Sequence, residues 1–117
     1  MDQPLPTPIS AIELHDWLNQ QSDLPFCIDV REDKELEMAR FPDPVLHLPL
    51  SKSSDWIDRL PQVLPADQPV VVICHAGIRS QNFGAWLLQQ GLVQQAWNLE
   101  GGIDSWSVSV DQSVPRY

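Results

Sequence analysis

The sequence predicts an α/β fold in which a central, mostly parallel sheet is covered by helices on both faces. Three observations carry this expectation. Short apolar, partly β-branched segments alternate with helix-length amphipathic ones, the pattern of parallel strands joined by crossover helices. Val70-Val71-Val72-Ile73 is apolar on both of its alternating faces, as a strand in the middle of such a sheet is. The length, 117 residues with 43% hydrophobic and 20% charged, suits one compact domain that buries roughly two thirds of its unfolded surface. We expect a single domain over residues 1–117, with its core at about 9–106 and a polar C-terminal tail at 107–117.

The elements follow in order. Ser10 and Glu13 form a capping box, and Ile9 stands where it can staple onto Leu14, so a helix starts at Ala11. Ala11, Leu14, Trp17 and Leu18 continue at helical spacing until Gln20-Gln21-Ser22-Asp23 and Pro25 break it. Phe26-Cys27-Ile28-Asp29-Val30 changes period and reads as a buried strand. Glu32 to Arg40 favours a short helix, stopped by Pro42 and Pro44 before a second short strand, Val45 to Leu48. Ser54 to Leu60 reads as a helical turn or two, capped by Ser53 or Ser54 and ended by Pro61. After the loop Pro65 to Pro69 comes the strand Val70 to Ile73. Ser80 to Gln90 places Phe83, Trp86, Leu87 and Gln90 on one helical face, with Gly91 as a left-handed cap. Ala96 to Leu99 is a further strand, Gly101-Gly102 a tight turn, and Ile103 to Trp106 a final helical turn. Trp17, Trp56 and Trp86 fall on apolar helix faces and read as core.

Composition narrows the function. The 16 acidic and 7 basic residues give a net charge of −9, which argues against nucleic acid or an anionic membrane as a partner. Recurrent apolar runs exclude wholesale disorder despite 11 prolines. Cys27 and Cys74 show no CxxC or zinc-ligand spacing, and His15 and His47 add none, so no metal is expected and both thiols read as reduced. Met1 to Pro8 has no basic region leading into an apolar one, and no run of about 18 apolar residues occurs; the expected location is the cytoplasm.

Cys74 stands at the carboxyl end of the best strand, immediately before a loop that feeds a helix, which is where ligands sit in open parallel sheets. The loop Cys74-His75-Ala76-Gly77-Ile78-Arg79-Ser80 is short enough to curl round the sulfur with backbone N–H groups turned inward. Those donors, the following helix dipole and Arg79 favour a thiolate over a thiol. On its own the cysteine reads equally as a small buried hydrophobe. Gly77, which permits positive φ inside the curl, and Arg79, a cation at a helix start, are hard to explain as packing.

Four ordered segments resemble the rhodanese family of sulfurtransferases: Asp29-Val30-Arg31-Glu32, Leu46-His47-Leu48-Pro49-Leu50, the loop from Cys74 to Ser80, and Leu99-Glu100-Gly101-Gly102-Ile103-Asp104-Ser105-Trp106. The resemblance implies a rhodanese-like three-layer domain and a sulfurtransferase that needs no cofactor. In that reading Cys74 takes sulfane sulfur from thiosulfate or a persulfide, holds it as a Cys74 persulfide, and yields it to a thiol or cyanide. His75, Ala76, Gly77, Ile78, Arg79 and Ser80 form the substrate-binding loop, with backbone N–H groups cradling the anion. Partners are a small sulfur donor and a thiol acceptor, with a protein persulfide or a thioredoxin-like protein as an alternative. Two other readings stand beside it: a non-catalytic rhodanese-fold module that binds a protein partner, and a cysteine phosphatase. The phosphatase is disfavoured because four residues, not the five of that loop, separate Cys74 from Arg79.

The remaining charged residues read as supports. Asp29 and Arg31, beside a strand end, are expected to brace the fold, and Glu35 to pair with Arg31 along a helix. His75 has no assigned role beyond the loop. Cys27 reads as inert packing or as a resolving thiol near the sheet top. Phe41-Pro42-Asp43-Pro44 replaces the family's usual Gly-His-Ile-Pro-Gly-Ala approach to the second conserved strand. Thiosulfate-preferring members tend to carry full positive charges where His75 and Ala76 stand, so a persulfide donor is at least as plausible physiologically.

Overall fold

The structure, a computed structural model, describes residues 3–117; Met1 and Asp2, which begin the N-terminal stretch read above, lie outside the described residues. Five strands, β1 (Thr7–Ile9), β2 (Phe26–Asp29), β3 (Leu46–His47), β4 (Val70–Ile73) and β5 (Ala96–Leu99), form one sheet in the order β1-β5-β4-β2-β3. Every pairing is parallel. All four residues of β4, the central strand, are fully buried, as its unbroken apolar run requires.

Alternation along the strands divides the core in two. Ile28, Val70, Val72 and Cys74 face α3 (Ser53–Trp56), α4 (Leu60–Val63) and α5 (Ile78–Gln89) through Trp56, Leu60, Phe83 and Leu87. Cys27, Val71 and Ile73 face α1 (Ala11–Leu18) and α6 (Gly102–Ser109) through Ala11, Leu14, Ile103 and Trp106. The remaining α-helix, α2 (Asp33–Met38), follows β2 and contributes no buried residue. Register then positions the site. Asp29 pairs with Ile73, and Val30 N–H donates to the Ile73 carbonyl at 3.0 Å, so the loops leaving β2 and β4 start side by side.

The capping box at Ser10 forms as expected: Glu13 N–H donates to Ser10 Oγ and Ser10 N–H to Glu13 Oε1. Several expectations need correction. β1 was not foreseen, because Pro8 at its centre argues against a strand; it survives at the sheet edge, where a missing N–H costs no ladder bond. Neither Ser53 nor Ser54 caps α3, whose N-cap is Lys52. Pro61 does not end the segment but sits in the first turn of α4, where its absent N–H has no helical partner to lose. On α5, Gln90 is exposed, while Ser80, Gly84 and Ala85 join the buried face. Gly91 has the expected positive φ, +69°. Trp56 is buried, but Trp17 and Trp86 are only half-buried, and Trp106 is the largest fully buried side chain.

The C-terminal segment packs rather than dangles. Helix α6 runs beyond Trp106 to Ser109, Val114 is buried, and Arg116 forms a two-point ion pair with Asp104. Among the described residues no helix is long and apolar enough to cross a membrane.

Candidate active site

Cys74 leaves the carboxyl end of β4 and is 1% exposed. The chain turns at once: Gly77, with φ +99°, is the N-cap of α5, a conformation that favours glycine. That turn brings Gly77 N–H onto Cys74 Sγ at 3.1 Å. Ser80, buried in the first turn of α5, places its Oγ 3.2 Å from the same sulfur. Ser80 in turn donates to Asn98 Oδ1 at 2.5 Å, and Asn98 Nδ2 donates to the Gly77 carbonyl at 3.0 Å. Asn98 thus ties β5 to both groups that reach the sulfur.

One hydroxyl proton serves two acceptors here. With a neutral thiol, Cys74 S–H donates to Ser80 Oγ while Ser80 donates to Asn98. With a thiolate, the Ser80 proton turns to the sulfur. The site can therefore meet either ionisation state by rotating one O–H.

Helix α6 fixes the loop from below. Ile103 N–H and Asp104 N–H donate to the carbonyls of Cys74 (2.9 Å) and His75 (3.2 Å). Gly102, with φ +63°, lies so close that a Cβ there would stand 2.3–2.4 Å from those two carbonyl oxygens. The double glycine therefore serves close approach as well as the turn expected of it.

Around the loop runs a network of paired charges. Asp29 and Arg31 are both fully buried and bound to each other, Arg31 Nη2 to Asp29 Oδ2 at 2.8 Å and Nε to Oδ1 at 3.0 Å. Arg31 Nη1 continues to the Ala39 carbonyl (2.8 Å) and the Tyr117 hydroxyl (3.2 Å). His47, which adds no metal-ligand spacing, donates from Nε2 to the Arg31 carbonyl at 2.6 Å. The expected Glu35–Arg31 side-chain pair does not form, because Asp29 already holds that guanidinium. The Glu35 carboxylate instead takes Arg79 at two points, 2.6 and 2.9 Å.

Both oxygens of Glu35 are doubly used: Oε1 also accepts from Glu32 N–H at 3.1 Å, and Oε2 from the Tyr117 hydroxyl at 2.7 Å. The Arg79 pair, joined by the Tyr117 and Glu32 bonds and opposed by burial, holds the Glu35 carboxyl down at about 2. The same pair raises Arg79 above its ordinary value. Burial, with Glu35 adding and Arg31 opposing, pushes the Tyr117 phenol up to about 12. The Tyr117 ring stacks on His75, with centroids 4.1 Å apart and planes 15° apart.

The loop residues thus separate by environment. Ser80 is buried against the sulfur, His75, Gly77 and Arg79 are half-buried, and Ala76 and Ile78 are exposed. Cys27 cannot resolve a bond at Cys74, because it lies on the opposite face of the sheet; burial, aided by Asp43, pushes its thiol up to about 12. Sequence reasoning missed Asn98 and Tyr117. A polar residue inside the apolar strand Ala-Trp-Asn-Leu was the available signal for Asn98, since buried amides require partners. No local signal marks Tyr117.

The Rhodanese-like domain family matches residues 10–109. The chain belongs to the rhodanese family. Its all-parallel sheet and flanking helices bear out the three-layer fold expected from that resemblance. Among rhodanese relatives, it is 32% identical over 87 residues to the thiosulfate sulfurtransferase GlpE of Pseudomonas syringae pv. syringae, covering 74% of this chain and 76% of that one. It is 31% identical over 115 residues to a rhodanese-like/PpiC domain-containing chloroplastic protein of Arabidopsis thaliana, covering 94% of this chain. The match spans only 38% of that longer relative. A crystal structure of a rhodanese-like domain protein from Staphylococcus aureus superposes with a TM-score of 0.72 at 24% identity, over 95% of this chain and 98% of that one.

Proposed function

We propose that this chain is a sulfurtransferase that moves sulfane sulfur from thiosulfate or a persulfide to a thiol or cyanide through a Cys74 persulfide. The observation that carries the reading is the placement of Cys74 Sγ under the Gly77 N–H and the Ser80 hydroxyl, at the carboxyl end of the central strand and beside the N-terminus of α5. In the first half-reaction the Cys74 thiolate attacks the outer sulfur of the donor. A new S–S bond forms, the donor's S–S bond breaks, and its electron pair leaves on sulfite or on a thiolate. The Gly77 amide, the Ser80 hydroxyl and the helix dipole stabilise the anionic persulfide. In the second half-reaction an acceptor thiolate or cyanide attacks the outer sulfur and restores Cys74.

Asp29 and Arg31 support the site by bracing the exit of β2, which leaves the sheet beside that of β4. The reaction uses groups of the chain alone, without a cofactor. A small thiol, a protein persulfide or a thioredoxin-like protein serves as partner, and the two unpaired cysteines suit a reducing cytoplasm. Near-complete burial of Cys74 favours one other reading, a partner-binding module that keeps the loop as scaffold. Cyanolysis separates the two: donor-treated protein releases thiocyanate if it is a transferase, and a Cys74→Ser variant releases none. Donor-treated wild-type protein that yields no thiocyanate refutes the transferase.

A further inference from the structure

We infer that Glu35 is a donor-specificity residue: by binding Arg79 at two points it withdraws the only arginine of the catalytic loop, so the site favours persulfides of thiols over the thiosulfate dianion. The inference rests on the sulfurtransferase reading and deepens it. Arg79 lies in the first turn of α5, two residues after the Gly77 whose N–H reaches Cys74 Sγ, so an uncommitted guanidinium there would attract an anionic donor. It is not uncommitted. Both of its terminal nitrogens are on Glu35, and Glu35 is itself anchored from two other directions, by Glu32 N–H and by the Tyr117 hydroxyl. The Glu35 side chain is 15% exposed and that of Arg79 36%. Two-point carboxylate–guanidinium pairs are short and directional, so a passing solute does not readily replace one.

Three other cations are also paired with carboxylates. Arg31 is buried on Asp29, Arg116 holds Asp104, and Lys52 holds Asp33. The chain as a whole carries −9.

The two donors differ in the charge they bring to this surface. Thiosulfate arrives with two negative charges and departs as sulfite with two, leaving its outer sulfur on Cys74 as a persulfide anion. A thiol persulfide, RSSH, arrives neutral or singly charged. Attack on its outer sulfur forms the Cys74 persulfide, breaks the S–S bond and expels RS⁻, while the proton on the outer sulfur stays with it or passes to water. The approach of the dianion to a chain of net charge −9 is the step that an available cation would help most.

The test measures Cys74 persulfide formation with thiosulfate and with the persulfide of 2-mercaptoethanol, an uncharged carrier. It compares wild-type protein, Glu35→Gln and Glu35→Gln/Arg79→Gln. Releasing Arg79 in E35Q should raise the thiosulfate rate constant roughly tenfold and leave the alkyl persulfide rate within about twofold. Removing Arg79 as well should abolish the gain. An unchanged ratio of the two rates in E35Q, or an equal change in both, overturns the proposal.

Should E35Q fail to fold, the wild-type protein decides. Added salt should speed its reaction with thiosulfate by screening repulsion, and a rate that falls with salt reveals an available cation and overturns the proposal. Persulfide formation with an unshifted ratio defeats this inference alone. No persulfide from either donor defeats the sulfurtransferase reading and this inference with it.

Discussion

The Ser80 hydroxyl stands 3.2 Å from Cys74 Sγ and 2.5 Å from Asn98 Oδ1, within hydrogen-bond reach of both. Ser80→Ala removes the side-chain hydroxyl bonded to the sulfur and leaves Asn98 Oδ1 buried without its donor. A hydrogen bond to a charged group is worth about 1.5–3 kcal/mol, so persulfide formation at Cys74 should slow about ten- to a hundredfold. Stopped-flow measurement of sulfite release checks this. An undiminished rate would mean that the Gly77 amide and the helix dipole suffice.

The approach of α6 to the loop makes a sharper prediction about stability. Gly102→Ala places a methyl against the carbonyl oxygens of Cys74 and His75 at 2.3–2.4 Å, in a backbone region that alanine disfavours. A loss of about 2–4 kcal/mol is expected in urea unfolding, together with a loosened Cys74 loop. Gly91→Ala is the control. Its φ is also positive, +69°, but its Cβ meets nothing within 4 Å, so only the backbone preference of about 1 kcal/mol is lost.

The Glu35–Arg79 pair predicts a pH dependence. The Glu35 carboxyl is held at about 2 in the folded protein against an ordinary 4.5. A depressed carboxyl contributes stability that is fully present above its unfolded value and is lost as pH falls through its folded one. The stability difference between wild type and Glu35→Gln should therefore be flat above about pH 5 and shrink steadily toward pH 2. Because Arg79 is partly open to solvent, we expect about 1–2 kcal/mol on the plateau. Urea titrations at a series of pH values read it directly, and a difference that grows on acidification contradicts the pairing.

How far the site was legible in the sequence follows from the range of the forces involved. The capping box at Ser10, the strand at Val70 and the positive-φ Gly77 are local events, each decided by residues a few positions apart, and each could be read. The Cys74 loop belongs with them, since a strand end, a glycine and a helix start are contiguous. What escaped reading spans long separations. Glu35 chose Arg79 over the nearer Arg31 because Asp29 had already saturated Arg31. Tyr117 reaches back across the chain to His75 and Glu35, and nothing near it in sequence announces those partners. β1 was hidden for a different reason. Its Pro8 is tolerable only at a sheet edge, and edge position is a property of the whole topology.

The central claim is that Cys74 carries the transferred sulfur, and the mass of the intact protein tests it most directly. Incubation with donor and removal of the excess should add one sulfur atom, placed by peptide fragmentation on Cys74 and not on Cys27. Cyanide should return the protein to its starting mass, and Cys74→Ser should gain nothing. A wild-type mass that stays unchanged with both thiosulfate and an alkyl persulfide, or an added sulfur that resides on Cys27, would contradict the account.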